Sequence, residues 1–360
     1  MANKTLGIFS RKQIDMKSES FTAQKIRAER DENVRKFIKQ IYIYVVLFVI
    51  VVLLSVVKLD QVTFFGRGHF LNPLSIINLF RAAIPIMILS PSFTLLMISG
   101  NIDLSVGSAM SLSAVVYAWL ILNGFGFFPA FLATLVLGVI LGIINGHLVM
   151  KMRITPVIAT LVTLNLFKGI ALLIVPEGLS SIRGNADVTM PVWINDFARK
   201  DVLLGLPAAF YVALAVIGIM IVVQKYTILG KYSAAIGGNR LAADLSGIDS
   251  VKIVWLLYIV VGFFAAIAGI TRASFMSMGD PLSGDGMETN IIIAVLLGGT
   301  AFSGGEGSVL KSVIGAIIIM CVTIGLMTVI PAYWQNVAKS SVLITAVVLN
   351  HLLNEKKVMI

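Results

Sequence analysis

The stretch Ile98-Ser99-Gly100-Asn101-Ile102-Asp103-Leu104-Ser105-Val106-Gly107-Ser108-Ala109 sets a carboxylate, an amide, hydroxyls and two glycines between two long apolar runs. In a bilayer, no water is at hand to solvate Asp103 or the backbone that Gly100 and Gly107 loosen. A segment of this kind must be buried in protein or line a polar passage. Transport is therefore the first function class to consider.

Working outward, the composition agrees. Hydrophobic residues make up 58% of the 360 positions, charged residues only 13%, and mean hydropathy is +0.95. Soluble domains are about half apolar and about a quarter charged, so the chain reads as an integral membrane protein. Ten of the 28 Lys and Arg residues and five of the 18 Asp and Glu residues fall within positions 1–40. The net charge of +10 is read as cations on cytoplasmic segments rather than as a nucleic-acid footprint. A lone Cys321 excludes an intrachain disulfide, and His69, His147 and His351 show no metal-ligand spacing.

Crossing about 30 Å of hydrocarbon takes about 20 apolar residues. Ten such runs are expected, over 41–57, 76–99, 105–123, 128–150, 155–175, 202–223, 252–275, 289–302, 309–329 and 332–350. The fold class is thus an all-α polytopic membrane protein with a possible internal repeat. Three regions follow: a charged, partly amphipathic cytosolic extension over 1–40, a transmembrane region over 41–352, and a short tail over 353–360. Lys36 and Lys39 ahead of the first run, and Lys225, Lys231, Arg240 and Lys252 in the 224–252 loop, place both termini and that loop inside. Arg81 and Lys168 are expected to snorkel to the interface.

A second Gly-rich interruption, Gly298-Gly299-Thr300-Ala301-Phe302-Ser303-Gly304-Gly305-Glu306-Gly307-Ser308, sits in a comparable part of the other half. Paired breaks point to an internal repeat with a passage at its interface; the alternative is that the glycines only permit close helix packing. Asp103 is expected at a helix N-terminus, either as a cap alone or as a cap with a part in gating. Arg272, Asp280, Asp285 and Glu288 gather around the turn after the seventh run, at the outer face or dipping into it. In the 224–252 loop, Asn239 can cap a short helix, Leu241 to Leu245, that Gly247 ends. That helix is either a contact for a cytosolic partner or a simple connection. No G-x-x-x-x-G-K-[ST] phosphate loop and no hydrolytic constellation is present, so active transport would draw its energy from another chain.

Taken together, Gly100-Asn-Ile-Asp-Leu-Ser-Val-Gly107, Asn145-Gly146, Thr155-Pro-Val-Ile-Ala-Thr-Leu161, Ala235-Ile-Gly-Gly-Asn239, Ala242-Ala-Asp-Leu-Ser-Gly-Ile248, Gly298-Gly-Thr300 and Ser303-Gly-Gly305 resemble, in order and spacing, the permease subunits of ATP-binding-cassette monosaccharide importers of the ribose, galactose, xylose, arabinose and autoinducer-2 type. The resemblance covers about residues 70–352. It implies a multi-pass permease of a bacterial inner or plasma membrane that imports a simple sugar by alternating access and is not itself an enzyme. It implies a second permease subunit, identical or related, a cytosolic ATPase subunit that carries ATP and Mg, and an extracytoplasmic sugar-binding protein. This chain would bind no cofactor. An importer of amino acids or nucleosides, or an ion-coupled carrier, is the alternative.

On the same resemblance, Ile236, Gly237, Gly238, Asn239, Ala242, Ala243, Leu245, Ser246, Gly247 and Ile248 form the ATPase-coupling loop. Asn101, Asp103, Ser105, Asn145, Glu288, Asn290 and Ser303 become candidates for the passage or its gate. The family commonly has a second glycine where Asn101 stands, and Tyr-Glu-Leu-Asp where this chain has Met287-Glu288-Thr289-Asn290.

Overall fold

The computed structural model describes residues 73–175, 181–184 and 189–327, with isolated positions beyond them. The chain divides into two compact units, Met1–Val46 and Leu47–Ile360, and the architecture below is that of the second. The extension over 1–40, the first expected run over 41–57 and the tail over 353–360 lie outside the described residues. So does the last run over 332–350, apart from isolated positions.

Helix α1 (Pro73–Ile98) is the central element. It is apolar on every side and buried over most of its length, as expected of a helix surrounded by others. Two of its buried hydroxyls bond back to the helix itself: Thr94 Oγ1 donates to Ser90 O at 2.6 Å and Ser92 Oγ to Leu89 O at 3.0 Å. Next come α2 (Val106–Leu122), α3 (Phe127–Gly146, extended by a π turn His147–Lys151) and α4 (Pro156–Ile174), with α2 packed against both α3 and α4. The short α5 (Val192–Arg199) leads to α6 (Ala208–Tyr226), α7 (Ile228–Gly238) and α8 (Arg240–Leu245). The bundle closes with α9 (Ser250–Met276), α10 (Met287–Leu297) and α11 (Val309–Met327).

Five of these helices are long and apolar enough to cross a membrane: Leu74–Ile98, Phe127–Lys151, Pro156–Ile174, Ala208–Tyr226 and Ser250–Met276. Shorter apolar helices accompany them. The chain is a multi-pass helical membrane protein. The long α9 packs along α3 through small residues. A Cβ on Gly138 would lie 2.6 Å from Ala266 Cβ, and one on Gly142 2.6 Å from Ile259 Cα. Only backbone surfaces fit that close, which is how membrane helices associate when water provides no drive.

The ends of two expected runs, and the place of Asp103, are corrected. The run over 202–223 starts late, because Asp201–Leu203 (β2) pairs antiparallel with Leu206–Pro207 (β3). Leu204 (φ +52°) and Gly205 (φ +74°) form the tight turn between them, and such turns need left-handed backbone at both central residues. The run over 289–302 is helical only to Leu297, where Gly298 and Gly299 end α10. Asp103 precedes its helix instead of beginning it, since α2 starts at Val106 with Ser105 at the cap position.

The approach to α10 is a short strand followed by a run of turns over 281–286. After α9, Met278–Gly279 (β4) pairs with Ile182–Arg183 (β1), and the chain then runs down α2. Gly279 rests on Val115 and Ala118, and Gly284 on Gly107 and Ser111, whose Oγ accepts Gly284 N at 2.8 Å. The turn after α9 thus dips into the bundle. The 11 residues of α10 rise about 16 Å, about half of a hydrocarbon core.

Candidate functional site

Both Gly-rich interruptions are built the same way. At the end of α1, Gly100 N donates to Met97 O at 2.9 Å and Asn101 N to Leu96 O at 3.2 Å, with Gly100 at φ +78°. At the end of α10, Gly299 N donates to Leu296 O at 2.9 Å and Thr300 N to Val295 O at 3.2 Å, with Gly299 at φ +80°. This paired pattern satisfies helix carbonyls and requires a left-handed residue, for which glycine carries no Cβ penalty.

The two interruptions also meet. Gly305 N donates to Ile98 O at 2.8 Å, and a Cβ on Gly100 would lie 3.6 Å from Ser303 O. Asn101 Nδ2 donates to Ser99 O and Ser99 Oγ, both at 3.1 Å. Asn101 and Ser303 therefore belong to one junction, with Asn101 buried and Ser303 exposed.

Asp103 heads a second cluster. Its Oδ1 accepts Ser105 N at 2.8 Å and Ser105 Oγ at 2.7 Å. Asn145 Nδ2 donates to Asp103 Oδ2 at 3.1 Å and to Ser105 Oγ at 2.7 Å. Thr163 Oγ1 in turn donates to Asn145 Oδ1 at 2.7 Å. Asp103 and Asn145 are each 2% exposed. The carboxylate thus closes a local turn two residues on and does not cap the first turn of α2. That corrects the expected capping role, for Asp103 sits too early in the chain to reach those amides. Its neutral partners tie the interruption to α3 and α4, while Tyr258 of α9 donates to Ile102 O at 3.0 Å.

The coupling segment abuts the junction. A Cβ on Gly237, near the end of α7, would overlap Ile98 O and lie 2.5 Å from Gly305 N. Gln224, near the end of α6, grips the second interruption from its other side: Nε2 donates to Gly307 O at 3.0 Å and Oε1 accepts Val309 N at 3.0 Å. Asn239 caps α8 as expected, its Oδ1 accepting Ala242 N at 3.0 Å. Gly247, at φ +83°, ends α8 with its amide on Asp244 O at 3.0 Å. Ile236 and Ala243 are buried anchors, Ile248 is half-buried, and Gly238, Ala242, Ser246 and Gly247 are exposed. Leu241 is 70% and Leu245 81% exposed, two apolar knobs on one short helix. Beside α8, a hydrogen bond from the Lys252 side chain, helped by the Lys252 amide, holds the exposed Asp249 carboxyl below the usual aspartate range.

Other candidates lie elsewhere. A Cβ on Gly107 would come within 2.7 Å of Glu288 Oε2, so Glu288 faces the first turn of α2. Asn290, half-buried two residues further, joins neither cluster among the described residues. Lys168 and Arg81 are not free snorkelling cations: Lys168 pairs with Asp285 at 2.6 Å, and Arg81 pairs with Asp201. Sequence reading passed over Gln224, Thr163 and Tyr258. Gln224 did leave a signal, as a lone amide closing an apolar run. Among the described residues, no group of three His, Cys, Asp or Glu side chains is placed to hold a metal.

Comparison with known proteins matches residues 75–350 to the family described as branched-chain amino acid transport system / permease component. The ribose import permease protein of Haemophilus influenzae is 31% identical over 312 residues, covering 86% of this chain and 93% of the relative. The D-allose transport system permease protein of Escherichia coli K12 is 33% identical over 290 residues, covering 80% and 86%. The autoinducer 2 import system permease protein of Escherichia coli DH10B is 31% identical over 300 residues, covering 83% and 85%. No solved structure gives a significant match. With a family model matched across most of its length and import permeases aligned nearly end to end, this chain belongs to the family of transport-system permease components.

Proposed function

We propose that the chain is the membrane permease of an ATP-driven importer that moves a monosaccharide into the cytoplasm. A cytosolic ATPase subunit would carry ATP and Mg and dock on α7 and α8. An extracytoplasmic binding protein would deliver solute to the opposite end, and a second permease, identical or related, would complete the passage. The full chain would cross the inner or plasma membrane ten times with both termini inside.

The observation that carries this reading is the packing of Gly237 on the Ile98–Gly305 hydrogen bond. A partner pushing on the exposed leucines of α8 pushes, through α7, on the point where both helix interruptions join. Helices α1 and α10 end there and α2 and α11 begin shortly beyond, so a small displacement reorients four helices. Packed elements respond to such a push by switching rather than by bending continuously. Asp103, Ser105 and Asn145 would hold α3 and α4 to the moving segment, with Asn101, Glu288, Asn290 and Ser303 near the gate or passage. A sugar suits the relatives' names best. The family description favours amino acids as a second reading.

The test is reconstitution in proteoliposomes with a cognate ATPase and binding protein. Uptake of labelled sugar is expected only with all three and ATP, and excess unlabelled pentose or hexose should suppress it. Competition by branched-chain amino acids instead would favour the second reading. Uptake by the chain alone on an ion gradient would overturn both.

A further inference from the structure

At the end of the bundle opposite α7 and α8, a cavity of about 470 Å³ lies among α2, α3, α5, α6 and α9, within the range of about 300–1,000 Å³ common for small-molecule sites. Helix α5 covers it, turning Ile194 and Phe197 toward the space. Trp193 meets Phe127 of α3 edge-on, with ring centroids 5.3 Å apart. Phe131 of α3 and Val212 of α6 line its sides, Ile267 and Ile270 of α9 another wall, and Tyr117 of α2 a third.

The lining tells what can enter. Its polar groups are few: Thr271 Oγ1 already donates to Ala268 O at 2.8 Å, and the Tyr117 and Ser274 hydroxyls, with the Trp193 indole at the lid, are the others. A sugar or amino acid would leave most of its hydrogen-bonding groups unpaired there, at a desolvation cost that opposes entry. An apolar chain loses nothing. The flank outside is apolar too: Leu132 and Val136 of α3 and Leu214 and Ile219 of α6 are exposed, a surface suited to hydrocarbon. Exposed Trp193, Phe127 and Phe128 gather at this end, where aromatic rings mark the membrane–water interface. Arg199 and Lys200 stand at the end of α5, Arg199 Nε donating to Phe275 O at 2.6 Å, so cationic groups flank the lid at headgroup level.

We propose that this cavity is an acyl-chain site, entered from the membrane between α3 and α6 by one chain of a phospholipid, with α5 as a lid at headgroup depth. The inference rests on the chain's membrane setting and not on the identity of the transported solute. An occupied cavity would brace α5 against the end of α9, from which the approach to α10 departs.

The experiment reads entry from inside the cavity. Trp119, Trp193, Trp255 and Trp334 are replaced by Phe, and a single reporter is added as Tyr117→Trp. Tyr117 is buried, so bulk lipid does not reach it. The control is Phe93→Trp, fully buried in α1. In bilayers of phospholipid brominated along the acyl chain, the cavity reporter should lose most of its emission relative to unbrominated lipid, while the control keeps its own. Adding Val212→Phe at the mouth should restore much of the signal. Equal quenching of reporter and control, or quenching of the reporter by aqueous acrylamide but not by brominated lipid, would overturn the proposal. Should Tyr117→Trp fail to fold, Ile270→Trp reads the same space and faces the same outcomes.

Discussion

The amide of Gly305 donates to the carbonyl of Ile98 over 2.8 Å, so residues 207 positions apart in the chain share one hydrogen bond at the meeting of two interrupted helices. Ile98 ends α1, and Gly305 lies in the loop that follows α10. Their bond gives the halves of the permease a common point, and Gly237 leaves no room for a side chain beside it.

Gln224 holds the second interruption at both Gly307 O and Val309 N. Gln224→Leu keeps the size but removes both bonds and leaves two part-buried backbone groups unpaired, at about 1–3 kcal/mol each. A lower melting temperature is expected, with uptake falling further than ATP hydrolysis. Gln224→Glu can still accept from Val309 N but repels Gly307 O, and should fall between wild type and Leu. Identical melting and uptake for all three would remove Gln224 from the coupling route.

Asp103 is held by Ser105 and Asn145 without a cation among its partners. Asp103→Leu strands buried donors on both residues and should destabilise the protein by several times RT, about 1–3 kcal/mol per stranded group. Asp103→Asn keeps the bonds to Ser105, and a flipped Asn145 amide can answer the new donor. Thermal unfolding in detergent should rank wild type above Asn and Asn well above Leu. A Leu variant as stable as wild type would show that the cluster does not hold the interruption.

Asp249 has a lowered folded pKa, caused first by the Lys252 side chain. A depressed carboxylate adds stability above its unfolded pKa, about 3.9, which is lost as pH falls through the folded value. Protection of the Lys252 amide against hydrogen exchange, taken relative to its intrinsic rate at each pH, should therefore be high at neutral pH and fall below the usual aspartate range, since that amide donates to Asp249 Oδ1 at 3.0 Å. In Asp249→Asn, that acid-dependent loss of protection should vanish. Protection insensitive to acid in the wild type would contradict the assignment.

The expected topology sets α5 and α8 on opposite sides of the membrane. In a Cys321→Ala background, Val192→Cys should react with an impermeant maleimide added outside, and Leu245→Cys only after permeabilisation. Both replaced side chains are exposed, at 74% and 81%, so access decides the result. Labelling of both from one side would break the topology.

What the sequence made legible was local. The Asn239 cap and the Gly247 stop lie within nine residues, and capping chemistry is a matter of neighbours. The long helices announced themselves through unbroken apolar runs. The link from Asp103 to Asn145, and from Asn145 on to Thr163, did not, since both sit on other helices and nothing in residues 98–109 names them. The β2–β3 turn hid inside Val202-Leu203-Leu204 because an apolar run at a membrane edge has no period to separate strand from helix. The turns leading to α10 were half visible, as glycines at 279, 284 and 286. That Gly284 lets the backbone lie against Gly107 and Ser111, and Gly279 against Val115 and Ala118, emerged only from the packing.

The most direct test of the central claim is the ratio of solute imported to ATP hydrolysed for Gly237→Ala, measured in proteoliposomes with the ATPase and binding protein present. The new methyl group must displace either Ile98 O or Gly305 N, and overpacking of this kind costs about 1–3 kcal/mol. The account predicts that hydrolysis continues while import falls about tenfold or more, the factor that about 1.4 kcal/mol represents. An unchanged ratio, with the variant fully assembled with its ATPase, would contradict it.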